Sequence, residues 1–427
     1  MALWNYCKDG LPFAFVAMQA ATKKTQFKKT AAAVAKPGAR GVSYAAASAL
    51  LDTERRRVGE AVDAKLDIST PYGNLTKNVA VPQEGGDDVQ WLVANPFALL
   101  WTLGNICPMY AAFLQQCLGP AALGHLVLYC DGVTPGQNIV QWRGREVVNW
   151  YWTLAEFPAW FRSQEQGGWL PFGCLKATVI TKIPGKYSGL AKIVLRQFFA
   201  TDWFNMAEGM RLPLGGQNFF SFKAVLSCFM QDGLAHKQVT STKGAAGIVC
   251  CISCRNILNT EPSRIEASAG LHHYSTAKAG DMKLHTHATF YANCDRLQAS
   301  HGHSHPKDFE ILEKACGISY DPHSVAYDLG LRGVYSIPDD TYHDPMHILV
   351  ASGGLVQYEI NAFLFHAVKQ GPNLSLALLD TFCRDLFITG KGLRSEITGK
   401  PFFVKRHTLN HAMCFVADAF YVIGEMC

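Results

Sequence analysis

The sequence predicts an α/β fold in which a mixed β-sheet is flanked by helices. Three observations predict it: three strand-like segments follow one another between residues 125 and 181, an amphipathic helix comes next, and a further apolar segment follows the helix. Aromatic and β-branched residues favour strands, whereas apolar residues that recur every three or four positions favour a helix. Strands interrupted by a helix in this way indicate an α/β sheet.

The composition is that of a globular protein with a large core. The 427 residues are 49% hydrophobic and 17% charged, which excludes a disordered chain. This length accommodates one large domain or roughly two to three ordinary ones. The fourteen cysteines show no disulfide rhythm, and residues 1–10 lack the basic-then-apolar order of a signal peptide. We therefore expect reduced thiols inside the cell.

Residues 1–60 predict a basic arm or linker. They hold ten Lys and Arg against four Asp and Glu, a net charge of +6 in a chain whose total is +5. Such clusters neutralise DNA phosphates or serve as import signals, and a solvated tail explains them equally well. The clusters are Lys23-Lys24, Lys28-Lys29 and Arg55-Arg56-Arg57.

Residues 61–120 predict a helical lead-in to the sheet. Residues 61–90 form a polar connection with two turn-forming segments, Pro71–Asn74 and Glu84–Asp88. No Asp, Glu, Lys or Arg occurs from Val89 to Cys130. Pro, Gly and Asn interrupt this apolar run, and a membrane-spanning helix needs about twenty predominantly apolar residues. We therefore expect one or two buried helices and no membrane segment.

Residues 121–254 predict the first part of the sheet. Asp131 directly follows the first strand, and Asp232 follows the last apolar segment. Three strands, a helix and another strand is the order of an RNase H-like fold, whose catalytic aspartates occupy these two places, although other α/β proteins match the order alone. The elements are the strands His125–Cys130, Glu146–Trp152 and Cys174–Thr181, the helix Ser188–Phe204 and the apolar segment Phe219–Met230.

The remaining residues predict an irregular, partly helical insertion (255–340) and a helical C-terminal part (341–427). Helical periodicity returns at Asp344, and an Asp before Pro345 is typical of a helix N-cap. Glu359 lies in an otherwise apolar helical segment. An acidic side chain in such a setting binds a metal ion or forms a buried ion pair.

Two cysteines and two histidines have the spacing of a structural zinc site. Cys251 and Cys254 form a C-x₂-C pair, and His343 and His347 form an H-x₃-H pair. Cys250 can replace Cys251 as a ligand. Seven further histidines compete for a metal and leave a metal-dependent hydrolase as an alternative, although a solvated loop explains the last three. They are His272, His273, His285, His287, His301, His303 and His305.

Asp131, Asp232 and Glu359 are candidate ligands of a magnesium site. Hard cations prefer oxygen ligands, and two such ions stabilise the attacking and leaving oxygens in phosphoryl transfer. Asp344 is an alternative third carboxylate. The two candidate aspartates each precede a glycine, so turn formation explains them without a metal. Lys243, in a Lys-Gly-Ala-Ala-Gly segment, is a candidate contact for DNA phosphate.

The ordered motifs resemble the DDE transposase core of the CACTA–Mirage–Chapaev type of cut-and-paste DNA transposons. They are similar to those of transposon-derived proteins of dinoflagellates, over roughly residues 90–370. The motifs are Asp131-x-Val-Thr-Pro-Gly, Asp232, Lys243-Gly-Ala-Ala-Gly, Cys251-x-x-Cys254, His343-Asp344-x-Met346-His347 and Glu359.

The resemblance implies a DDE triad of Asp131, Asp232 and Glu359 that binds Mg²⁺ or Mn²⁺. It implies a structural Zn²⁺ held by the cysteine and histidine pairs, cleavage and strand transfer of DNA at transposon ends and target, a homo-oligomer when active, and a nuclear location. Two departures leave an inactive or domesticated DNA-binding remnant as an alternative. Gly132 stands where family members often have an acidic residue, and only the basic arm is a candidate N-terminal DNA-binding segment.

Overall fold

The computed structural model describes residues 67–133, 146–163, 168–199, 204–215 and 218–344. The strands are β1 (Ser69–Thr70), β2 (Gly73–Asn74), β3 (Thr76–Val81), β4 (Val89–Ala94), β5 (Leu123–Val133), β6 (Val147–Leu154), β7 (Leu170–Lys176), β8 (Met210–Gly215), β9 (Asn218–Gln231), β10 (Ile257–Leu258), β11 (His272–His273) and β12 (Thr341–His343). The α-helices are α1 (Pro96–Ile106), α2 (Pro108–Leu118), α3 (Ala159–Arg162), α4 (Ala177–Ile180), α5 (Lys186–Phe199), α6 (Gly233–Thr240), α7 (Arg264–Ser268), α8 (His287–Ser300), α9 (Pro306–Cys316) and α10 (Ile337–Asp340).

A six-stranded mixed sheet forms the centre of the described residues. Its order is β12-β9-β5-β6-β7, and β8 pairs with β9. β5 runs antiparallel to β6 and parallel to β9, and β6 runs antiparallel to β7. A parallel pair needs a long crossover, and the chain between β5 and β9 includes α5. The predicted α/β class with a mixed sheet flanked by helices is confirmed, and the sheet is compatible with an RNase H-like fold.

Helix α5 covers one face of this sheet. Its buried residues include Leu190, Val194 and Phe198. The Phe198 ring meets the Trp152 ring edge-on, with centroids 5.5 Å apart, and Trp150 and Trp152 are both fully buried. Burying one large apolar side chain contributes about 1.5–3 kcal/mol, so this face contributes strongly to the stability of the sheet.

The pleat of β5 sends alternate side chains to opposite faces. Leu128 and Cys130 are buried, whereas Tyr129 and Asp131 are half-buried. Cys130 acts electrostatically on Tyr187 of α5, which places its thiol on the covered face. The Asp131 carboxylate therefore lies on the more open face of the sheet.

The predicted strand Cys174–Thr181 is wrong over its second half. The chain leaves the sheet after β7 and forms the short helix α4. Ala177 N donates to Glu146 O at 3.0 Å, and Thr181 N donates to Ala177 O at 3.0 Å. The backbone therefore passes directly from its last hydrogen bond with the neighbouring strand into the first hydrogen bond of a helix. This helix forms although the local residues favour a strand. The predicted helix Ser188–Phe204 corresponds to α5 over Lys186–Phe199, and residues 200–203 lie outside the described residues.

Two regions contain strands that the sequence does not predict. β3 and β4 form an antiparallel hairpin within and just after the predicted polar connection. Trp91 and Val93 are buried and Leu92 is exposed, the alternation of a half-buried strand. β8 contains Pro213, which argues against a central strand, but β8 pairs with β9 alone and an edge strand tolerates proline.

The uncharged run before β5 forms β4 and two helices. Among the described residues, no single helix is long and apolar enough to cross a membrane. α1 and α2 pass that test only as a pair, and they are bent by 116° at the break between them. Asn95 caps α1 through its side chain, and Pro96 occupies the first turn, as helix starts favour.

Candidate functional site

Asp131 and Asp232 lie at neighbouring ends of the two parallel strands. β5 and β9 are in register at Tyr129 and Met230, and each aspartate follows two residues later. Asp232 has an extended backbone, with φ −71° and ψ 168°, so it continues the course of β9 before the next helix begins. The structure thus brings together two residues that are a hundred positions apart in the sequence, as their placement after apolar segments predicts.

The electrostatic fields of both carboxylates reach Cys130. Burial raises the pKa of the Cys130 thiol, and the negative charges of Asp232 and Asp131 raise it further. Burial also raises the pKa of Tyr151, to which the Cys174 thiol and then Asp131 contribute. Because Coulomb interactions weaken with distance, both carboxylates lie within electrostatic reach of the Cys130 thiol.

Asp232 also begins helix α6. Its Oδ1 accepts a hydrogen bond from Ala235 N at 2.6 Å, the bond of a helix N-cap. The helix dipole stabilises a negative charge at this end. A carboxylate has about four lone-pair sites on its two oxygens, so one capping bond leaves acceptor capacity for a cation. Asp232 can therefore cap helix α6 and still offer an oxygen to a cation.

The donor chemistry of this edge fits a hard divalent cation. Asp131 and Asp232 both offer carboxylate oxygens, which Mg²⁺ and Mn²⁺ prefer. Strand β5 and the capping bond restrict the two groups, and such support is what orients ligands in metal sites.

Glu146 lies beside the end of β5, on the covered face of the sheet opposite to the Asp131 carboxylate. Its Oε1 lies 2.8 Å from the position that a Cβ atom at Gly132 would occupy. Burial raises the pKa of Tyr187, and Glu146 is the next largest cause. A side chain at position 132 would have to displace the Glu146 carboxylate. Only the pairing of β5 with β6 brings Glu146 close to Gly132.

The cysteine pair forms a local cluster in the structure. Cys251 and Cys254 share a side-chain hydrogen bond, and burial together with the Cys251 and Cys250 thiols raises the pKa of Cys254 to about 12. Cys254 forms an isolated bridge to Leu284, and His285 N donates to Ser253 O at 2.8 Å. This turn is therefore held against the segment that precedes α8.

The described part of the chain contains no group of three or more His, Cys, Asp or Glu side chains that could hold a metal ion. His343 ends β12, and burial lowers its pKa. Asp344 follows it and is buried. His347 and Glu359 lie outside the described residues. The zinc-clipped insertion therefore has no support in the structure, and the zinc ligands and the third carboxylate stay predictions.

Lys243 has a protein partner. Its Nζ lies 3.0 Å from Glu313 Oε2 of α9, and both side chains are largely shielded from solvent. Lys243 N also donates to Gly317 O at 2.8 Å. These contacts give Lys243 a structural role, and its proposed contact with DNA stays a prediction. The basic-arm residues Lys23, Lys24, Lys28 and Lys29 lie outside the described residues.

The other histidines occupy separate settings. His301, His303 and His305 are exposed before α9, and His305 Nδ1 accepts from Lys307 N at 3.3 Å as an N-cap. This arrangement agrees with the solvated-loop interpretation. His272 and His273 form β11, and His285 and His287 lie at the start of α8.

No protein-family model matches this chain, and no curated protein matches it. The functional assignment therefore rests on the geometry of the site. Two adjacent carboxylates at the carboxyl ends of parallel strands can bind a divalent cation and present it at the edge of the sheet.

Proposed function

We propose that this protein is a transposase-like enzyme that cleaves DNA strands and transfers them by DDE-type phosphoryl transfer. The observation that carries the proposal is the placement of Asp131 and Asp232 at the adjoining ends of β5 and β9. An RNase H-like core is the finer fold assignment. Its support is a run of three antiparallel strands, a helix, and a later strand parallel to the first.

In this proposal Asp131 and Asp232 hold Mg²⁺ or Mn²⁺, and Glu359 is the predicted third carboxylate. The bound cation supplies Lewis-acid polarisation of the phosphodiester and activation of the attacking oxygen. Asp131 is fixed by its strand, and Asp232 by its capping bond to Ala235 N. Both carboxylates are therefore positioned before substrate binds, which limits the reorganisation needed during in-line attack by water and then by a 3′-hydroxyl.

DNA is the proposed partner, at transposon ends and at the target, in a homo-oligomer located in the nucleus. The net charge of +6 on residues 1–60 supports DNA binding, because Lys and Arg neutralise phosphates. Zn²⁺ bound by Cys251, Cys254, His343 and His347 stays part of the proposal as a structural metal. Cys251 and Cys254 share a side-chain hydrogen bond, so the two cysteine ligands of this proposal lie together.

A cleavage assay tests the proposal. Full-length protein is incubated with DNA that carries the ends of its own genomic element and with Mg²⁺ or Mn²⁺. Asp131→Asn and Asp232→Asn are expected to reduce cleavage by at least about 100-fold, because the cation contributes several kcal/mol to the transition state. The exposed Asp87→Asn is the matched control and should retain full activity. Equal cleavage by all three variants would contradict the proposal.

A non-catalytic DNA-binding remnant is the second candidate. It is favoured by the finding that no third His, Cys, Asp or Glu joins the aspartate pair among the described residues. That candidate predicts DNA binding without cleavage in any divalent cation. In that case Asp131→Asn would leave DNA affinity unchanged, as measured by gel shift.

A further inference from the structure

Asn149 lies directly opposite Asp131 in the central sheet. The two residues are paired between β5 and β6, and Asn149 is in turn paired with Cys174 on β7. Directly opposed residues extend to the same face of a sheet, with Cβ atoms about 4.5–5.5 Å apart. Asp232 lies on the other side of Asp131, across the parallel pair. The edge therefore carries a row of oxygen-bearing side chains, Asp232, Asp131 and Asn149.

Asparagine is disfavoured within strands, so a structural reason for Asn149 would be expected. Two buried asparagines have one: Asn95 caps α1, and the Asn256 side chain bonds to Gly270 O, Asp281 O and Lys283 N. Within the part of the chain that the structure describes, the half-buried Asn149 carboxamide makes no hydrogen bond of this kind. Its neighbours Val148 and Trp150 point to the covered face and are buried. Their burial stabilises the strand, so the strand does not require Asn149.

We infer that Asn149 is a neutral oxygen ligand of the divalent cation held by Asp131 and Asp232. This inference rests on the proposed function. Amide oxygens are ordinary ligands of hard cations beside carboxylates. A third carboxylate in this position would face Asp131 directly, and like charges directly opposite one another destabilise a sheet. The neutral amide supplies an oxygen without that repulsion. Two negative charges and one neutral oxygen match a divalent ion.

The next residue in this row, Cys174, provides a control for the role of Asn149. Cys174 is exposed and lies one strand further from Asp131 than Asn149 does. A thiol is a soft donor and a weak ligand for Mg²⁺ or Mn²⁺. Cys174→Ser should therefore leave the cation site unchanged, although it alters the same row on the same face.

The test is a titration of the full-length protein with Mn²⁺ alone, in which free Mn²⁺ is measured by electron paramagnetic resonance. Asn149→Leu keeps the size of the side chain and removes its oxygen, and is expected to weaken Mn²⁺ binding by about tenfold or more. Asn149→Asp keeps the oxygen and adds charge, and is expected to tighten binding. Cys174→Ser should bind like the wild type, and Asp131→Asn should lose binding.

The outcomes separate the inference from the proposed function. If Asn149→Leu and Asn149→Asp both bind Mn²⁺ like the wild type while Asp131→Asn loses binding, the role of Asn149 is wrong and the aspartate pair survives. If Asp131→Asn also binds normally, the proposed cation site itself is wrong. Circular dichroism checks folding, and if Asn149→Leu does not fold, Asn149→Asp decides: tighter binding supports the inference and unchanged binding overturns it.

Discussion

The carboxylate edge, formed by Asp131 and Asp232, and the cysteine turn, formed by Cys251 and Cys254, differ in how the fold assembles them. Asp131 and Asp232 are far apart in sequence and adjacent in the sheet, because β5 and β9 pair in parallel. Cys251 and Cys254 are close in sequence and share a hydrogen bond through local geometry. Strand pairing thus brings together carboxylates from distant parts of the sequence, whereas a local motif brings together only its own side chains.

The largest expected effect concerns the sheet that supports the carboxylate edge. Phe198→Ala removes a ring that packs on Trp152 and Phe172, and should lower the free energy of unfolding by about 3–5 kcal/mol. Chemical denaturation measures it. Ile311→Ala, on the exposed side of α9, is the control and should change stability little. A loss below about 1 kcal/mol for Phe198→Ala would contradict the described core.

The cysteine turn should differ from an exposed thiol in reactivity. The pKa of Cys254 is raised to about 12, so at pH 8 only about one thiol in ten thousand is ionised, and the thiolate is the reactive form. Cys254 should therefore react with iodoacetamide at least about 100-fold more slowly than the exposed Cys174. Mass spectrometry of metal-free protein measures both rates, and similar rates would mean that the turn is more open than described.

A half-buried carboxylate at the end of helix α10, that of Asp340, sharpens the comparison. Burial raises the pKa of Asp340 to about 6, with Asp339 raising it and a bond from Ser336 N and His287 lowering it. A raised carboxyl pKa means that the folded state holds its proton more tightly than the unfolded state. Stability from this group is therefore present below about pH 4 and is lost as pH rises through 6.

Because Asp340 is partly exposed to solvent, the loss should be only about 1 kcal/mol between pH 4 and 7. Asp340→Asn should flatten that part of the stability profile, and Asp339→Asn should only reduce it, because burial is the larger cause of the raised pKa. Urea denaturation at several pH values measures the profile. If the stability of the wild type rises through this pH interval and Asp340→Asn shows the same rise, the proposed contribution of Asp340 is wrong.

The smallest expected effect concerns Lys243. Its ion pair with Glu313 should be worth about 0.5–1 kcal/mol in a double-mutant cycle of Lys243→Met and Glu313→Gln. A structural role also predicts that Lys243→Met leaves DNA affinity and its salt dependence unchanged. A lower salt slope in the variant would instead assign Lys243 to a phosphate contact.

The sequence predicts the central sheet better than its surroundings. The long apolar segment Phe219–Met230 corresponds to β9 because this strand carries apolar residues on both faces, although mainly alternate residues are buried. The hairpin β3–β4 was missed because only alternate residues such as Trp91 are buried in a polar setting. Thr178 and Val179 favour a strand locally, but the turn into α4 overrides that preference.

The position of a candidate residue can be predicted where it follows a strong strand, but not where strand pairing decides it. Asp131 and Asp232 both end apolar segments, so their meeting at one edge follows from a parallel pair. Glu146 and Asn149 carry no motif, because their positions beside Gly132 and Asp131 depend on the register of β5 with β6. No single-sequence pattern specifies that register.

The most direct test of the central claim is a crystal of the protein soaked in Mn²⁺, with anomalous difference density measured at the manganese edge. The account predicts a peak between the Asp131 and Asp232 carboxylates, with ligand oxygens about 2.0–2.3 Å from the metal. Density beside Asn149 would extend the claim to that residue. A well-ordered sheet edge without a peak, at saturating Mn²⁺, would contradict it.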